Sequence, residues 1–155
     1  MDGALGARGA RRLRVAFVSV EAGITALGFR RVAAVARRID PETDIFFVTL
    51  GNLYSVMSQI FPAKRAAFDA ADAAAISERL AGYDLVAFSA MTASSAAVEE
   101  IIAHIRVRSP NTFVLFGGVH AILYPDKAME VADAICKAEG ELPFEMLHAK
   151  MSAGE

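Results

Sequence analysis

Five short apolar runs alternate with segments of helical period along this chain, and that alternation leaves few folds open. The runs are Leu13 to Val20, Thr43 to Leu50, Asp84 to Ala90, Thr112 to Gly118 and Ala132 to Lys137. The first four read as strands buried on both faces, and the fifth is weaker. After Gly28, the residues Phe29, Val32, Ala33, Ala36 and Ile39 recur at helical spacing, and Pro41 stops that helix. Tyr54, Met57, Ile60 and Phe61 make a helical stripe in the more ambiguous segment 52–64. Asp69 or Asp72 caps an alanine-rich helix that runs to Gly82. Thr92, Ser94 or Ser95 caps the next, whose buried stripe is Val98, Ile101, Ile102 and Ile105. A short helix over Pro125 to Val131 and a last one over Glu141 to Lys150 complete the series. Strands followed by helices imply βαβ units and a parallel sheet. The expectation is an α/β fold: a three-layer, doubly wound, five-stranded parallel sheet in the flavodoxin-like order 2-1-3-4-5.

The bulk numbers agree with one such domain over residues 13–150. The chain has 155 residues, 55 % of them hydrophobic, and a mean hydropathy of +0.38. That is apolar for a domain of this size and suggests strands buried on both faces, or a surface that expects a partner. A net charge of −2 gives no global field for nucleic acid or anionic lipid. The single cysteine excludes an internal disulfide and a C-x-x-C metal knuckle, and it fits a reducing, cytoplasmic compartment. "ARRLRVAFVSV" faintly resembles a twin-arginine export signal, but its apolar run, Val15 to Val20, is short for a signal core of about 7–15 residues. Met1 to Arg12 reads instead as a disordered basic leader, and residues 151–155 as a tail. No stretch approaches the roughly 20 apolar residues of a membrane span.

In this strand order a ligand sits beyond the carboxyl ends of the strands, beside strands one and three. The turns at Val20 to Gly28, Ser89 to Ser95, Gly117 to His120 and Ala138 to Glu141 therefore matter most. Gly117-Gly118 permits either a tight turn or the close approach of a ligand. In Ser89-Ala90-Met91-Thr92, hydroxyls can bind a polar ligand, small Ala90 leaves room, and one hydroxyl of the cluster caps the following helix. His120 has no companion at ligand spacing, which makes a poor metal site and favours a structural or hydrogen-bonding role. Glu139 and Glu141 flank Gly140, either as a pair of carboxylates or, more commonly for such a turn, as acids that suit the start of a helix. Cys136 reads as a small buried residue. No P-loop, G-x-G-x-x-G or H-E-x-x-H motif is present.

The segment from Tyr83 to Glu141 resembles the cobalamin-binding domain of radical S-adenosylmethionine enzymes. That family pattern runs through an aspartate, a hydrophobic strand, Ser-x-x-Thr, a helix, an apolar strand, Gly-Gly-x-His, a proline, an aspartate-containing strand and Gly-Glu-Gly-Glu. The chain matches it at Asp84, Ser89, Thr92, Gly117, Gly118, His120, Pro125, Asp133, Glu139, Gly140 and Glu141. The first half matches more loosely, through strand one and "LGFRRVAAVAR".

The resemblance implies a corrin ring over the carboxyl edge of the sheet and a nucleotide tail in the groove beside strands one, three and four. It implies cofactor contacts at Glu21, Ala22, Gly23, Ser89, Ala90, Met91, Thr92, Gly117, Gly118, Val119, His120, Glu139, Gly140 and Glu141, with Ser89 bonding the tail. The turn after strand one lacks the histidine of D-x-H-x-x-G that ligates cobalt in methionine synthase and the mutases, so no such bond is expected. Ala138 replaces a family glycine, and a positive φ there would be strained. Radical enzymes of this type hold an iron–sulfur cluster with C-x-x-x-C-x-x-C, and one cysteine cannot supply it. The cluster and S-adenosylmethionine are thus expected in a partner domain, in cis or in trans. The chain is then a fragment, a subunit or a stand-alone cobalamin carrier, and is not catalytic alone. Two alternatives remain: a degenerate relative that docks proteins, and a flavodoxin-like domain for another phosphorylated ligand.

Overall fold

The computed structural model describes residues 11–21, 26–48 and 68–155. Their elements alternate as β1 (Val15–Ser19), α1 (Leu27–Ile39), β2 (Asp44–Phe47), α2 (Ala70–Arg79), β3 (Leu85–Ser89), α3 (Ser95–Arg108), β4 (Phe113–Gly117), α4 (Val119–Leu123), α5 (Pro125–Val131), β5 (Ala134–Ile135) and α6 (Glu141–Ala153). The five strands form one sheet in the order β2-β1-β3-β4-β5, parallel at every pairing. This is the anticipated doubly wound architecture. The helical stripe expected around Tyr54 to Phe61 lies outside the described residues.

Strand parity sorts the core into two layers. Ala16, Val18, Val86, Phe88, Val114 and Phe116 face the helices α2, α3, α4 and α5. Val15, Phe17, Leu85, Ala87, Phe113 and Leu115 face α1 and α6. All five residues of β1 are buried, because helices cover both faces of the sheet's centre. The α1/α6 layer is stitched by edge-to-face rings, Phe17 on Phe144 at 5.0 Å and Phe17 on Phe29 at 6.1 Å.

Several ends differ from expectation. The side chain of Ser94, at the start of α3, caps no backbone N–H. A 3-10 turn over Thr92–Ser94 precedes that helix, and the Ser94 and Ser95 hydroxyls donate to the carbonyls of Met91 and Thr92 instead. The expected hydroxyl cap is therefore absent. Strand five is two residues long rather than six. The Asp133 N–H donates to the Val114 carbonyl at 2.9 Å, while its carboxylate takes the Val114 N–H at 2.7 Å and the Arg106 guanidinium at 2.8 Å, so a side chain supplies one acceptor of the ladder there. Helix α6 runs on to Ala153. Arg11 and Arg12, counted with the leader, are held to the body. Arg11 donates its N–H to Ser152 and pairs with Asp84, and Arg12 pairs with Glu42 at 2.6 Å.

Candidate functional site

Parallel register brings three small residues into one row at the carboxyl edge of the sheet. Ser19 pairs with Ser89, and Ser89 with Gly117. One step inward on the same face lies a second row, Phe17, Ala87 and Leu115. Small side chains leave space beneath α1 and the start of α6, and a cleft of about 430 Å³ opens there. Its bottom is Phe17, Ala87, Leu115, Phe29 and Val32; its mouth carries Glu21, Ser89, Met91, Gly117, Gly118 and the turn Ala138 to Glu141.

The two adjacent glycines play different parts. Gly118 has φ +90°, and a Cβ there would lie 2.8 Å from the backbone N and O of Ala90. It must be glycine for the turn itself, since the β3 loop fills the space beside it. Gly117 has no such demand: a Cβ would meet Cys136 at 3.6 Å, an ordinary contact. Its bareness widens the cleft. Gly140 lets α6 start against α1, where a Cβ would lie 2.8 Å from Val32 Cγ2. No described residue other than glycine has a positive φ, so the strain anticipated at Ala138 is absent.

The polar groups gather at the mouth. Glu21 accepts the Met91 N–H, and burial pushes its carboxyl above the usual range while that N–H pulls the other way. Across the opening, Arg31 holds Glu141 Oε1 at 2.8 Å and Glu139 Oε2 at 3.6 Å. Glu141 Oε2 is buried without a hydrogen-bond partner. The Ser89 hydroxyl has none among the described residues. The buried, unpartnered Glu141 oxygen favours a ligand that completes it. Neither Ala26 before α1 nor Gly140 before α6 supplies a side-chain cap, so both helix starts offer N–H groups on this side.

Of the residues expected from sequence, Glu21, Ser89, Met91, Gly117, Gly118, Val119, Glu139, Gly140 and Glu141 line the cleft. Ala22 and Gly23 lie outside the described residues. Ala90, Thr92 and His120 do not line it. Ala90 instead receives the His120 N–H at its carbonyl, at 3.1 Å. His120 is 3 % exposed on the other side of the sheet, between the rings of Phe116 and Tyr124, with Glu99 at 3.9 Å and both ring nitrogens unpartnered. It packs rather than facing the ligand cleft. The cleft's bottom was missed in the sequence. Its signal was parity: Ala87 and Leu115 stand two residues before Ser89 and Gly117, and so share their face. Among the described residues no three His, Cys, Asp or Glu side chains gather to hold a metal, and no helix is long and apolar enough to cross a membrane.

A family model described as the B12 binding domain matches residues 13–148. No curated protein matches the sequence. Among solved structures, the chain is similar to the pilus assembly protein CpaE from Caulobacter crescentus. The TM-score is 0.51 and the identity 14 %, over 92 % of this chain and 95 % of that one. At that identity the likeness concerns the fold alone.

Proposed function

The chain belongs to the B12-binding domain family, and on that premise we propose that it binds cobalamin as a module of a radical S-adenosylmethionine-type enzyme. The carrying observation is the cleft: apolar at its bottom, polar at its mouth, and placed at the switch point between β1 and β3. A large flat ring with a narrow tail fits a shallow mouth that leads into a slot. Ser89 would bond the tail, Gly117 would let it pass, and Glu141 Oε2 would accept from an amide or hydroxyl of the cofactor. Bound cobalamin supplies a cobalt centre that carries a methyl group or an electron. The turn after β1 carries no histidine, so in this reading the cobalt takes no histidine from it.

The iron–sulfur cluster and S-adenosylmethionine belong, in this reading, to a partner domain. Exposed apolar side chains at and beside the mouth support one: Leu27 is 70 % exposed and Leu123 61 %, with Met91, Val119 and Ile122 nearby. Carboxylates at the mouth argue against a dianionic phosphate ligand such as a flavin mononucleotide, because Arg31, beside them, is engaged by Glu139 and Glu141.

Desalting after incubation with hydroxocobalamin tests the proposal. A corrin absorbance band that elutes with the protein is expected, and none after incubation with flavin mononucleotide. Colourless protein under both oxidising and reducing conditions contradicts it.

A further inference from the structure

We propose that the outward face of α6 pairs with the same helix of a second copy of this chain, the two lying side by side in parallel about a two-fold axis. The contact is independent of the cofactor. Helix α6 is apolar on two opposite faces. Phe144, Leu147 and Met151 pack into the layer of the core shared with α1. Opposite them stand Leu142, Met146, Ala149 and Ala153, all exposed, Leu142 by 64 % and Met146 by 56 %. An ordinary surface helix turns polar side chains outward instead. Steps of four, three and four separate these residues, the a and d spacing by which two helices interlock. The two alanines let the backbones come close.

The charges beside this seam choose both the occupant and its direction. Glu145 precedes Met146 on one flank, and Lys150 follows Ala149 on the other, five residues on. In a parallel pair that is the spacing at which a carboxylate of one helix meets an ammonium of its mate, twice by symmetry. An antiparallel pair would set Glu145 against Glu145 and Lys150 against Lys150. The Lys150 ammonium has no partner among the described residues. Glu145 meets Arg38 at 3.3 Å, with both side chains well exposed, so it can take a second cation. One surface thus carries its own complement, as an isologous dimer requires. A seam about 16 Å long is short, so the dimer forms and dissociates with concentration. Because α6 starts at the cleft mouth, parallel helices turn both mouths to one side of the dimer.

Sedimentation equilibrium of the full chain, from about 10 µM to about 1 mM, tests the pairing. A monomer–dimer equilibrium is expected. Met146→Glu should raise the dissociation constant at least about tenfold, since it buries a charge in the seam, and should leave the circular dichroism spectrum unchanged. Lys150→Glu should weaken the dimer about fivefold. An equal mixture of Lys150→Glu with Glu145→Lys should recover it, because the charges across the seam are then opposite again. A chain that stays monomeric throughout, a dimer that Met146→Glu leaves intact, or a Lys150→Glu variant that dimerises as well as the wild type overturns the inference. If Met146→Glu fails to fold, Ala149→Glu in the same seam takes its place.

Discussion

A single methyl group should separate the two glycines at the end of β4. Gly118→Ala forces a side chain into φ +90° and against the Ala90 backbone, a loss of about 3 kcal/mol. Gly117→Ala meets only ordinary contacts, so the cofactor-free protein should keep its stability while cobalamin affinity falls. Urea unfolding without cofactor and corrin titration measure the two effects. Equal destabilisation in both variants would contradict this division. The sequence shows a glycine pair but not which member serves the turn and which the ligand. That depends on the β3 loop, which is distant in sequence and adjacent in space. His120 illustrates the same limit. Its place in Gly-Gly-x-His marks it, yet one step of helix after Gly118 turns its ring onto Phe116, away from the cleft.

The elements were legible wherever their signals were local. Asp69 caps α2, accepting the N–H groups of Ala71 and Asp72, while the Asp72 carboxylate accepts the Asp69 N–H. The sequence offered Asp69 or Asp72 for this role, and the reciprocal box uses both. Asp69→Ala should lower stability by about 1 kcal/mol and Asp69→Asn by far less, read from thermal unfolding. Equal losses would show that charge at the helix start, rather than the hydrogen bonds, carries the effect. Elements whose ends depend on tertiary partners were less legible. The fifth strand shrinks because Asp133 reaches across to Val114 and Arg106. Helix α4 has five residues and no polar face to give a periodic signal; the turn at Gly118 sets it.

For the molecule as a whole, the order of strands and the sorting of their faces follow from alternation and parity, and these place the cleft. Its contents were half legible. The mouth residues stand in turns that a motif can mark, whereas the bottom is made of ordinary core residues with one small side chain, Ala87, among them. The most direct test of tail binding in the slot uses the chain's one cysteine, Cys136, which lines the cleft and is partly exposed. Its alkylation by iodoacetamide should be slowed at least about tenfold by saturating methylcobalamin, with occupancy read from corrin absorbance in the same sample. An unchanged alkylation rate in a sample that has taken up the corrin would contradict a tail seated between the sheet and α1.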